Sequence, residues 1–205
     1  MSMTPRGPIR RFTGAAILAA ATSAWPMADG AARTPIPQVA AADSPAVVEF
    51  KKRVDDYVAV HRKLEATLPA LPDDATPEQI DNAQRTLFAL LKAARPNARQ
   101  GDLFTPGMTA FVKELLGRML EGPAGQRLRA SLMDENVKEL PLTVNQRYPD
   151  AIPLATMPPR LLKALPELPE QMEFRFVASQ FILLDTHAHL VVDFIPDALP
   201  GKVAP

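Results

Sequence analysis

Apolar positions follow a helical period up to about residue 135 and a strand period from about residue 173, with a proline-rich stretch between them. Val47, Phe50, Val54, Tyr57, His61, Leu64 and Leu68 succeed one another at steps of three and four. That spacing is one stripe on a helix, opened by Ser44 as cap and Pro45 at the first turn, and ended by Pro69 and Pro72. Thr76-Pro77-Glu78-Gln79 opens a second helix with a cap, a first-turn proline and a capping-box glutamine. Its stripe is Ile80, Ala83, Leu87, Leu90 and Ala94, closed by Pro96. Thr105-Pro106 repeats the opening, and Met108, Phe111, Val112, Leu115, Met119 and Leu120 run to Gly122-Pro123. A shorter fourth helix from Ala124 to Asp134 carries Leu128, Leu132 and Met133. Short connections between these helices predict an antiparallel bundle of three to four helices over 44–135.

From Glu173 to Ile195 the pattern changes to β-branched and aromatic residues interrupted by Ser179-Gln180 and Thr186-His187-Ala188. Three antiparallel strands are expected, Glu173 to Ala178, Phe181 to Asp185 and His189 to Ile195. Phe181-Ile182-Leu183-Leu184 and Leu190-Val191-Val192 put apolar side chains on both faces, so both faces need cover. Helices supply one side. The segment Pro149 to Pro169, or a partner chain, is the candidate for the other, and an outer strand is a candidate edge for pairing with a partner. Within 136–172, Val137 to Val144 reads as a short extended piece. Pro149, Pro153, Pro158, Pro159, Pro166 and Pro169 then allow only one turn of helix, Arg160 to Leu165. Ile152, Leu154, Met157, Leu161, Leu162, Leu165 and Leu168 make this segment an anchored strap. The fold class is therefore α+β, with 44–196 one domain and 197–205 a tail.

Composition changes the picture mainly at the start. Arg6, Arg10 and Arg11, the apolar run from Phe12 to Ala24 and the close Ala28-Asp29-Gly30 resemble a secretory signal peptide over 1–30, followed by a flexible Ala- and Pro-rich linker over 31–43. The run is too short for a membrane span, which needs about 20 apolar residues. Cleavage near Gly30 takes three of 23 basic and one of 23 acidic residues, leaving 20 and 22 and a net charge of −2. Such balance argues against nucleic-acid binding, which needs a clustered basic face. There is no cysteine, hence no disulfide and no thiolate chemistry. The expected location is the periplasm or the exterior.

Candidate chemistry is sparse. Asp185-Thr186-His187-Ala188-His189 resembles the Asp-x-His-x-His signature of the amidohydrolase-type metal-dependent hydrolases. Those enzymes place it near the start of a barrel of about 250 residues, whereas here 16 residues follow His189. A weaker reading has His187 and His189 on one side of a strand end, recruiting Asp185 or another acid to hold a divalent metal; the plain alternative is two polar residues in an exposed turn. His61 reads as a core-boundary histidine. Ser131 and Ser179 lack a nucleophile-elbow setting, and no glycine-rich phosphate loop follows a strand. Asp185 and Asp193 lie in apolar strands and, if buried, need donors, for which Arg147 and Arg175 are the candidates, with a structural ion pair favoured over a catalytic acid. Asn145, Arg147, Tyr148 and Asp150 gather four chemistries into six residues, either as an interaction patch or as ties for the strap's backbone.

Gly101-Asp102-Leu103-Phe104-Thr105-Pro106, Asn145-Gln146-Arg147-Tyr148-Pro149-Asp150 and Thr156-Met157-Pro158-Pro159, with the closing meander, resemble a family of small exported bacterial proteins whose function is uncharacterised. Leu165-Pro166, Phe174-Arg175-Phe176-Val177, Leu184-Asp185 and Val192-Asp193-Phe194-Ile195 are also similar to the C-terminal module of periplasmic nickel- and cobalt-homeostasis proteins. The resemblance implies export and brings no activity. The expectation is an exported, non-catalytic binding or interaction module without a cofactor, whose partner is another envelope protein or its own copy. The alternative is a weak divalent-metal-handling protein using His187 and His189, with a metal-dependent hydrolase a distant third.

Overall fold

A computed structural model describes residues 44–133, 141–150, 152 and 157–199. The expected signal peptide, the linker, the first half of the extended piece 137–144, Pro153, Leu154 and the end of the tail lie outside the described residues. The order is α1 (Pro45–Glu65), α2 (Pro77–Ala94), α3 (Pro106–Met119), α4 (Gly122–Met133), α5 (Pro159–Leu162), β1 (Met172–Val177), β2 (Gln180–Asp185) and β3 (Leu190–Ile195). The fold is α+β, with helices beside one three-stranded antiparallel meander in the order β1-β2-β3.

Local chemistry sets the helix starts. The Ser44, Thr76 and Thr105 side chains accept from the backbone N–H three residues on, and Gln79 closes the capping box on Thr76. α1 buries Val47, Phe50, Val54, Tyr57, Val58 and His61, close to the expected stripe. It stops at Glu65, before Leu68, with Ala66 as C-cap. α2 differs more. Its buried residues are Leu87 and Leu91, one position round from Leu90, and Ile80 is exposed. α4 starts two residues earlier than expected, at Gly122, whose positive φ of 67° lets the chain turn straight out of α3. α5 covers only one turn and ends at Leu162, short of Leu165.

The sheet is covered on both faces, on one by the helices as expected and on the other only partly by the expected segment. Phe174, Phe176, Phe181, Leu183, Leu190, Val192 and Ile195 share one core with α1 to α4. Val177, Ile182, Leu184 and Val191 share a second, smaller one with Leu142, Tyr148 and Ile152. Cover on that face thus begins upstream of Pro149, while Met157, Leu161 and Leu165 join the helical side. Residues 145–148 also run along the outer edge of β3. Asn145 N–H donates to Val191 O (3.0 Å), Val191 N–H to Gln146 O (2.9 Å) and Tyr148 N–H to His189 O (2.7 Å). Arg147 bridges Leu190 there. Ala198 and Leu199, expected in a tail, are buried and bond back to Ser179 O.

One irregularity aims a side chain. β2 and β3 shift register between Leu183 and Leu184, so that Leu183 faces Asp193 and Leu184 faces Val191, leaving Val192 as the extra residue of a bulge. The bulge turns both Val192 and Asp193 to the helical side.

Candidate functional site

Two buried aspartates on the helical face are where the sheet meets the helices, and each is solvated by the protein. Asp193 Oδ1 accepts from the N–H groups of Gly101 (3.0 Å) and Phe194 (2.8 Å), and Oδ2 from those of Leu103 and Phe104 (both 2.8 Å). It holds the α2–α3 loop immediately before the Thr105 cap. Asp185 Oδ2 accepts from the Tyr57 hydroxyl (2.6 Å) and from His61 Nδ1–H (2.5 Å), and Oδ1 from Ala188 N–H (2.9 Å). Neither aspartate uses Arg147 or Arg175, so the expected ion pairs are replaced by backbone amides at Asp193 and by a phenol and an imidazole at Asp185. Arg147 pairs instead with Asp81 (3.0 Å) and Asp150 (3.1 Å), and Arg175 with Glu173.

His61 has no exposed surface and links the core to the surface. A carboxylate only accepts, so the Nδ1 proton is directed at Asp185 and the ring's other nitrogen, Nε2, points toward Glu65 Oε2 at 3.2 Å. Glu65 lies one helical turn on, where i and i+4 share a face. Its other oxygen accepts from His187 Nδ1 (2.7 Å), and the two imidazole rings meet edge to face at 5.4 Å. Burial would lower the His61 pKa. The hydrogen bond to Asp185, the Asp185 charge and Glu65 outweigh it and hold His61 above its ordinary value of 6.5. Burial first, then the charge of Asp185 and the bond to it, push the Tyr57 phenol well above 10.0, opposed by Arg95, whose guanidinium sits 5.0 Å from the ring centre.

Glu65 and His187 open onto a cleft of about 670 Å³ between the end of α1, the loop after it, α2 and the β2–β3 turn. Leu68, Leu71, Ile80, Ala83 and Leu87 give it apolar lining, and Arg62, Gln84 and Thr186 add polar groups to that of Glu65 and His187. Leu71 and Ile80 are 46% and 41% exposed, so this is apolar surface facing solvent rather than core. His61, Glu65 and His187 each offer one ligating atom, all within 4.8 Å of one another.

The residues singled out from sequence are distributed differently. His187 belongs to this cluster, but His189, at a positive φ of 51°, faces Asp150 (3.2 Å). The two histidines therefore do not share a carboxylate, and Asp185 serves neither. Asn145, Arg147 and Asp150 make side-chain contacts within the chain. Asn145 Nδ2 donates to Arg95 O (2.6 Å) and its Oδ1 accepts from Arg95 (3.0 Å). Tyr148 is buried. Asp150 joins Arg147, Arg85 and His189. His61 and Glu65 were missed as a pair, although their spacing of four on a helix was visible. No family model, curated protein or solved structure matches the chain. Among the described residues no helix is long and apolar enough to cross a membrane.

Proposed function

We propose that this is an exported, non-catalytic binding protein whose site is the cleft beside Glu65 and His187, and that its ligand is a small amphiphile. The observation that carries the reading is a concavity of about 670 Å³, within the range that encloses small organic ligands, lined by apolar side chains together with a few polar and charged ones. The apolar body packs on Leu71, Ile80 and Ala83. The head reaches Arg62, Gln84 and the Glu65–His187 pair. The basic and then apolar start of the chain supports export.

Titration with anilinonaphthalene sulfonate, followed by competition with decanoate, tests the cleft. Ala83→Trp fills it from a half-buried wall position without entering the core. Dye affinity is expected to fall by about tenfold or more, the loss of one to a few buried apolar contacts, with thermal stability unchanged. Equal affinity in the variant overturns the reading. Intact mass of the protein recovered from the envelope of its host tests export, with loss of the first 30 or so residues expected.

A further inference from the structure

We propose that His61, Glu65 and His187 form a site for one divalent transition-metal ion of the zinc, cobalt or nickel class. The site does not depend on what occupies the cleft. Three side chains from two distant parts of the chain bring their ligating atoms within 4.8 Å of one another. A tetrahedral ion with ligands about 2.0–2.1 Å away needs its donors about 3.3 Å apart, so a small inward movement suffices. Two imidazole nitrogens and a carboxylate oxygen suit borderline metals and disfavour calcium or magnesium, which want oxygen. Three protein ligands also leave one position open. Because Glu65 and His187 border the cleft, that position is reached from it by water or by a ligand's donor atom.

Asp185 separates this arrangement from an ordinary pair of imidazole–carboxylate contacts. Its carboxylate accepts the hydrogen bond from His61 Nδ1–H at 2.5 Å, which fixes the ring's orientation and leaves Nε2 toward Glu65. Metal-binding histidines are held in this way, with the second ring nitrogen donating to a carboxylate that orients the ring and raises its basicity. Asp185 is itself fixed by the Tyr57 hydroxyl and Ala188 N–H. A surface His–Glu pair needs neither a fully buried ring nor a buried carboxylate behind it. His187 Nδ1, already 2.7 Å from Glu65, supplies the third donor. His189 is excluded, since it is engaged with Asp150.

The test uses the chain stripped of metal with a chelator. Cobalt(II) is titrated in and followed by visible d–d absorption, zinc displacement by calorimetry, and stoichiometry by native mass spectrometry. One cobalt per chain with the intense bands of low coordination number, displaced by one zinc that also raises the melting temperature, is the expected result. His187→Ala and Glu65→Gln change half-exposed side chains, and each is expected to lose the stoichiometric site while keeping the far-ultraviolet circular dichroism of the parent. Asp185→Asn is expected to weaken zinc by about 10–100-fold. If that variant does not fold, the other two carry the test. His189→Ala is expected to bind as the parent does. No bands and no zinc-induced stabilisation in the parent overturn the proposal, and so does undiminished affinity in His187→Ala or loss of the site in His189→Ala. Ala83→Trp is expected to keep its cobalt spectrum, so failure of the cleft reading and failure of the metal site are separable.

Discussion

Asp185 and Asp193 carry the same charge and the same complete burial, yet they depend on different parts of the chain. Asp193 accepts hydrogen bonds from four backbone N–H groups, three of them in the loop before α3. Replacing it with alanine orphans those donors, and Asp193→Ala is expected to lose about 3 kcal/mol or more in urea unfolding. At Asp185 the telling partner is Tyr57. Its raised phenol stays neutral in the folded state at a pH where the unfolded chain has begun to ionise, so its contribution is complete below about pH 10 and is lost as the pH rises above that. The chain has two tyrosines, and Tyr57→Phe isolates this one. Subtracting its alkaline absorbance titration from that of the parent is expected to show Tyr57 phenolate appearing only as the circular dichroism is lost. Phenolate formed near pH 10 in a folded protein contradicts this. Sequence alone marked both aspartates as buried charges in need of donors. It named arginines because side chains are what a sequence displays, whereas main-chain amides and a histidine 124 positions away are positioned only by the fold.

At the level of elements, caps and periodicity were legible because they are local. Thr76 to Gln79 and Thr105-Pro106 specify their helix starts within four residues. What was not legible depended on neighbours. α2 turns Leu87 and Leu91 to the core and Ile80 to the cleft, and the bulge at Val192 has no glycine or proline to announce it. The α3–α4 junction supports a paired prediction. A methyl group at Gly125 would lie 2.2 Å from the Leu120 carbonyl carbon, so Gly125→Ala forces α4 away from the end of α3 and is expected to cost about 1–3 kcal/mol. Gly117, inside α3, has open space where a methyl would go, and Gly117→Ala is expected to gain about 0.5–1 kcal/mol. Chemical denaturation of both variants checks the opposite signs. Two of the motifs that carried the family resemblance prove to be joints: Gly101 to Pro106 receives Asp193 and caps α3, and Asn145 to Asp150 lines the edge of β3.

Across the whole molecule, rings of Phe50, Phe104, Phe174, Phe181 and Phe176 follow one another at centroid distances of 5.1–6.3 Å, from α1 through the α3 entry loop into β1 and β2. The helices and the sheet thus share one interior. Phe50→Ala is expected to cost about 3–5 kcal/mol and to lower the helical and aromatic circular-dichroism transitions together. Separate midpoints would mean that the two halves fold independently. Tyr57 and Asp185 are 128 residues apart, and this separation has a consequence during synthesis. The helices emerge from the ribosome first, with their apolar stripes facing nothing, and the strands that complete the core arrive last. Until then neither the cleft nor the His61–Glu65–His187 cluster exists. Completion of the shared core therefore waits on residues made long after α1.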